Sequence, residues 1–163
     1  MLDRIKELQK ELNQKIDDAQ KQKQEDEERE LEEKHLFLEK VDKFFQYIVN
    51  DPIFEDYLQT ELSNQVKEYI NGYTKPYVTF IFYVELDGDE FSLDFQSKGE
   101  NEHDFYIYRD SFTFISEFSK TLHCIQAYRY ADQFMTEYCT NNGLKCNCDK
   151  ELTDANMFIR IGL

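Results

Sequence analysis

Apolar positions in the first fifth of the chain follow helical spacing and then fade. Leu2, Ile5, Leu8, Leu12, Ile16 and Ala19 stand three or four residues apart, which places them on one narrow stripe of an α-helix. From Gln20 to Lys34 the only apolar residue is Leu31. Residues 1–34 contain no Gly, Pro or aromatic residue and are rich in Lys, Glu, Gln and Leu, all good helix formers. The pattern predicts one long charged helix over residues 1–35. Its first turns carry a candidate coiled-coil seam of Leu2, Ile5, Leu8, Leu12 and Ile16, and its second half is a solvated charged rod. A coiled coil usually sustains three or four heptads. This stripe is shorter, so a helix that pairs and a helix without a partner both remain open.

At Leu36 the pattern broadens. Leu36, Leu38, Val41, Phe44, Phe45, Ile48 and Val49 form an apolar face wide enough to bury. Asn50-Asp51-Pro52 predicts a helix stop and a restart, with Asp51 as N-cap and Pro52 in the first turn. Phe54, Tyr57, Leu58, Leu62, Val66, Tyr69 and Ile70 continue at helical spacing, and Gly72 is the expected left-handed cap.

Alternation then replaces the helical period. Residues 77–86 place Val78, Phe80, Phe82, Val84 and Leu86 on one face and Tyr77, Thr79, Ile81 and Tyr83 on the other. Both faces are apolar enough for a central strand or an interface. Residues 90–97 point Phe91, Leu93 and Phe95 inward and Ser92, Asp94 and Gln96 outward, with Asp87-Gly88 as the hairpin signal between the strands. A third strand is expected at 104–109. Residues 111–118 carry both periods. An Asp110-Ser111 cap and Phe112, Ile115, Phe118 and Leu122 at helical spacing favour a helix start. Helical spacing is firm from Ser119 to Asn142, and Asn141-Asn142-Gly143 ends it. Two short strands follow in LKCNCD and NMFIRIGL, with a turn near Thr153-Asp154. The expected organisation is an extended charged helix over 1–35 and an α+β domain over 36–163. In that domain a mostly antiparallel sheet packs against helices.

Composition narrows the function classes. The chain has 163 residues and a net charge of −15, from 34 acids and 19 bases. Residues 1–40 hold 13 acids against 9 bases, a net −4, and the remainder holds 21 against 10, a net −11. Nucleic-acid binding needs a basic footprint, and anionic membranes repel such a chain. Neither direct nucleic-acid binding nor membrane binding is expected; a protein with a basic surface is the expected partner. No apolar run approaches the roughly 18 residues of a membrane span, and the N-terminus lacks a signal-peptide core. A cytoplasmic location with reduced thiols is therefore expected.

Candidate chemistry lies in two groups. Cys146 and Cys148 share one face of an expected strand, and Cys124, Cys139, His103 and His123 complete the soft-ligand inventory. These residues show no recognisable zinc spacing, and His123 and Cys124 diverge by about 100° on a helix, so they form no dyad. Neither a metal nor a cofactor is expected. The second group is acidic: Glu85, Asp87, Asp89, Glu90, Asp94, Glu100, Glu102 and Asp104 face the single base Lys98, a net −7 across residues 85–104. Their order does not match an EF-hand loop, and a hairpin tip is convex, a poor place for general acid–base work. Carboxylates in a row on a sheet can resemble a phosphate backbone; they also serve solubility and protect a sheet edge.

No nucleophile elbow, phosphate-binding loop, dinucleotide fingerprint or zincin helix is present. The leading expectation is a non-catalytic, acidic protein–protein interaction module. Its sharpest form is an inhibitor that occupies the basic groove of a nucleic-acid-binding protein, in the manner of a phage anti-defence factor. An oligomeric scaffold or assembly adapter built on the N-terminal helix is the second reading. A small metal- or thiol-dependent enzyme is the third.

Overall fold

The structure, a computed structural model, describes residues 2–69, 77–98, 106–113, 120–150 and 156–163. The chain is α+β: helices α1 (Leu2–Asn50) and α2 (Pro52–Glu68), strands β1 (Tyr77–Asp87), β2 (Glu90–Ser97) and β3 (Ile107–Thr113), helix α3 (Lys120–Asn141), and strands β4 (Lys145–Lys150) and β5 (Asn156–Gly162). It divides into two compact units, Met1–Leu36 and Phe37–Leu163. Helix α1 continues without a break through the compositional change at Leu36, because no Gly or Pro interrupts it there. The first unit is helix throughout its described residues, with nearly every side chain exposed.

The second unit is built on a five-stranded antiparallel sheet of order β3-β2-β1-β5-β4. β1 is the central strand, as its two apolar faces suggest. One sheet face is covered by α1 from Phe37 onward, α2 and α3. Phe45 of α1 meets Phe82 of β1 at 5.0 Å and Phe134 of α3 at 5.4 Å between ring centroids. Phe54 of α2 meets Phe80 at 5.3 Å, and Phe80 stacks on Phe95 of β2 at 5.1 Å. Tyr128 of α3 packs edge-on against Phe82 at 5.5 Å, and its hydroxyl oxygen accepts the Val84 N–H at 2.9 Å. Each such ring pair adds about 0.5–1.5 kcal/mol beyond the burial of its area.

Local signals set the joints between elements. The Asp51 carboxylate accepts the Ile53 N–H at 3.0 Å, capping α2, with Pro52 in the first turn. Its second oxygen accepts the Tyr108 hydroxyl of β3 at 3.1 Å, tying the helix junction to an edge strand. The β1–β2 pairing closes at Asp87↔Glu90, so the two loop residues are Gly88 and Asp89. Gly88 stands at φ +59°, the positive φ that mirror-image hairpin turns require at their first central position. The hairpin thus turns one residue later than the Asp87-Gly88 signal indicates.

Two further expectations differ from the structure. Ser111, Phe112 and Thr113 are strand, not helix: they pair with Ser92, Phe91 and Glu90 of β2. Phe112 stacks on Phe91 at 5.9 Å, and that tertiary contact outweighs a local cap signal. The third strand accordingly runs 107–113, and residues 114–118 lie outside the described residues. Leu36, expected on the core face, is 49% exposed. Ile70, the Gly72 cap and the Thr153-Asp154 turn lie outside the described residues.

Phe45→Ala is expected to destabilise the protein by about 3–5 kcal/mol in urea unfolding, whereas Ile53→Ala, at an exposed position, costs under about 1 kcal/mol. Alkaline pH provides a second test. Burial, and then donation to Asp42, raise the Tyr130 phenol from 10.0 to about 12. Burial, and then donation to Asp51, raise Tyr108 as well. A folded pKa above the unfolded one means this stability is complete below pH 10 and is lost as pH rises through about 12. Tyrosinate absorbance and far-ultraviolet dichroism should therefore change together across that window.

Candidate functional site

Three groups of side chains stand apart from the core. The first is the N-terminal stripe. Leu2 is 74% exposed and Leu12 58%, while Ile5, Leu8 and Ile16 lie between 45% and 48%. These five apolar side chains share a helix face without cover from within their own unit. Arg4 bonds Glu7 at 3.1 Å and lies 3.8 Å from Glu11, flanking the stripe with charge.

The second group is the acidic one, and the structure divides it. Asp87, Asp89 and Glu90 sit exposed at the end of the β1–β2 hairpin. Glu85 and Asp94 lie instead on the sheet face opposite the helices, where Arg109 of β3 reaches both. Its Nε is 3.1 Å from Asp94 Oδ1, and a terminal nitrogen is 3.7 Å from Glu85 Oε2. Asp94 points to the outer face, as its place in the alternation requires, yet it is only 6% exposed. Asp94 is thus corrected as a surface acid: the register sets Arg109 directly across from it and Tyr83 on its other side, and together these cover the carboxylate. Tyr83 is raised above its usual pKa, first by desolvation and then by the Asp94 charge. The outer face is internally balanced elsewhere too. Arg160 pairs with Asp149, Lys98 stands 4.8 Å over the Phe158 ring, and the Ser92 and Ser111 hydroxyls share a bond of 3.0 Å. Glu100, Glu102 and Asp104 lie outside the described residues.

The third group is a cluster of thiols that sequence spacing did not assemble. Helix α3 ends in a Schellman motif: the Leu144 N–H bonds the Cys139 carbonyl at 2.8 Å, and the Gly143 N–H bonds Thr140 at 3.2 Å. Gly143, at φ +70°, makes that reversal. It sends β4 back along the helix, so Cys146 returns beside the Cys139 thiol. Cys148 follows on the same strand face, with its Sγ 3.7 Å from that of Cys146. Cys139 is fully buried, and Cys146 and Cys148 are half-buried. Hydrogen bonding with Cys139, then with Cys148, outweighs burial and lowers the Cys146 thiol from its usual range, and Thr136 adds to the effect. Cys139 and Cys148 are pushed up, each first by its bond to Cys146 and then by burial, with Asp132 adding to the rise at Cys148. The available signal was Gly143 in a cap position, which predicts that the chain doubles back.

His103 lies outside the described residues, and His123 stands apart from this cluster. His123 is buried, with its ring 4.9 Å from Phe37 and 6.3 Å from Phe91. Among the described residues, no group of three or more His, Cys, Asp and Glu side chains is arranged to hold a metal ion. No described helix is long and apolar enough to cross a membrane. A groove of about 620 Å³ also lies between α2 and the end of α3, lined by Leu58, Leu62, Val66, Tyr138, Leu144 and Leu163. No family model, curated protein or solved structure matches the chain.

Arg109→Ala is expected to destabilise the fold by about 1–3 kcal/mol, because it strips the partner from a buried carboxylate. Glu85→Ala removes only an exposed pair and should cost under about 1 kcal/mol. Urea unfolding of the two variants distinguishes them; equal effects would show that Asp94 does not depend on Arg109.

Proposed function

We propose that this chain is a protein–protein interaction module that works without catalysis and pairs through its N-terminal helix. The observation that carries the reading is the exposure of Leu2, Ile5, Leu8, Leu12 and Ile16 on one stripe. Scattered exposed leucines are ordinary, but a row at a spacing of three and four is what helix pairing uses. Magnitudes limit the strength of that pairing. Covering a half-exposed Leu or Ile contributes about 1 kcal/mol, so the five give about 10 kcal/mol across two identical helices. Association itself costs about 4–15 kcal/mol. The seam therefore suits a weak contact or one reinforced by further surface, which fits an assembly adapter.

Charge supports a second contact, to a basic protein. The chain beyond residue 40 carries a net −11, and Asp87, Asp89 and Glu90 are exposed together at one hairpin end. An inhibitor that enters the basic groove of a nucleic-acid-binding protein would use that end. Asp94, under Arg109, contributes little to it.

Sedimentation of the full chain and of a chain lacking residues 1–35 tests the first contact. The full chain should sediment at a concentration-dependent multiple of its protomer mass, and both the truncated chain and the Leu8→Lys with Leu12→Lys variant should sediment as single protomers. The same number of protomers in all three proteins would remove self-pairing. Partner capture at low and high salt tests the second contact. Binding should fall steeply with salt and should weaken when Asp87, Asp89 and Glu90 are changed together to Asn, Asn and Gln. Salt-insensitive binding would sink the acidic-face reading.

A further inference from the structure

Three cysteines on two elements converge in the second unit, and the proposed pairing role uses none of them. Cys146 lies beside Cys139 of α3, and its Sγ stands 3.7 Å from that of Cys148 on β4, with either sulfur able to donate. A thiolate beside neighbouring thiols is stabilised as an anion by an S–H that donates to it, and it remains a nucleophile. Access is uneven: Cys139 is sealed in the core, but Cys146 and Cys148 are half-buried on an edge strand. The groups that face Cys146 are few. From α3 come Thr136, Cys139 and, beside Cys148, Asp132; from β4 comes Cys148 itself. The paired β5 residues Ile159 and Ile161 are apolar and fully buried. Asp132 is held in place by the Thr136 hydroxyl, which donates to it at 3.2 Å.

We propose that this cluster is a peroxide-sensitive modification site, in which Cys146 is the attacking thiolate and Cys148 the thiol that closes a disulfide with it. In the first step the Cys146 sulfur attacks one peroxide oxygen of a small hydroperoxide. An S–O bond forms and the O–O bond breaks, leaving Cys146 as a sulfenic acid. The departing alkoxide or hydroxide takes up a proton. In the second step the Cys148 sulfur attacks the Cys146 sulfur. The S–S bond forms, the S–O bond breaks, and hydroxide leaves as water with the Cys148 proton. Two thiols are oxidised and one hydroperoxide is reduced to alcohol and water. The sulfur separation of 3.7 Å sets the two reacting atoms side by side before reaction. Once Cys146 is oxidised it no longer carries charge, so its effect in holding the proton on Cys148 is removed. β4 pairs on one side only, which leaves its backbone room for the shift that bonding requires.

Alkylation and peroxide treatment of the full-length protein test this site. At pH 6, iodoacetamide should modify Cys146 at least about tenfold faster than Cys124, which lies outside the cluster, as read by peptide mass mapping. Substoichiometric hydrogen peroxide should then produce a Cys146–Cys148 disulfide, detected as the loss of two hydrogens in a single peptide. In Cys148→Ser the reaction should stop at a sulfenic acid that dimedone traps. Cys124→Ser should behave as wild type. The alkylation profile of the unaltered protein stands even if a cysteine variant fails to fold. Cys146 labelling no faster than Cys124, or peroxide leaving no intramolecular disulfide, would overturn the proposal. So would uptake of one equivalent of zinc that blocks alkylation of all three thiols. A Cys139–Cys146 disulfide in its place would overturn the role given to Cys148.

Discussion

The fold depends on a layer of phenylalanine rings pressed between one sheet face and the helices. Phe37, Phe45 and Phe54 arrive from helices, and Phe80, Phe82, Phe91 and Phe95 from β1 and β2; all seven are essentially removed from water. Rings of this size leave little freedom in how the elements meet. A one-residue slip of β2 against β1 would turn Phe91, Leu93 and Phe95 to the open face and bring charged and polar side chains into the layer. The register Phe82↔Phe95 and Val84↔Leu93 is therefore fixed by the layer as much as by the turn at Gly88.

One-sided burial determines what the other face becomes. Helices cover one surface of the sheet, so alternation delivers Tyr83, Glu85, Asp94, Arg109 and Arg160 to the opposite surface. There they neutralise one another locally: Arg109 serves Glu85 and Asp94, and Arg160 serves Asp149. A sheet face with its charges paired is a poor imitation of a phosphate backbone. The exposed acids Asp87, Asp89 and Glu90 gather instead at the hairpin end. The division of the acids follows from the pleat, and composition alone does not show it.

Most of the architecture is legible along the chain. The period change near residue 77, the Asp51-Pro52 restart and the cap at Gly143 each state a local preference that the packed structure keeps. What is not legible depends on partners distant in sequence. Ser111–Thr113 carry both periods, and the pairing with β2 and the Phe91–Phe112 stack decide for a strand. Asp94 reads as a surface acid until Arg109 is placed across from it. The thiol cluster is hidden for a similar reason: Cys139 and Cys146 lie on elements of different type, and only the reversal at Gly143 brings them together. The N-terminal stripe is the opposite case. It is plain in the sequence because helical spacing alone defines it.

The strand order β3-β2-β1-β5-β4 also bears on how the protein assembles. β1, β2 and β3 are consecutive, so each pairing closes a short segment. The pairing of β1 with β5 joins Tyr77 to Gly162 across about two thirds of the second unit. Closing a segment about eight times longer costs about 2 kcal/mol more in chain entropy. The meander therefore has the kinetic advantage, and the sheet is completed when the later hairpin docks on the exposed side of β1. Until that docking, Val78, Phe80 and Phe82 form one edge of an unfinished sheet. The moment of greatest exposure to aggregation thus falls between two halves of the same β-structure, at the strand that ends up best protected.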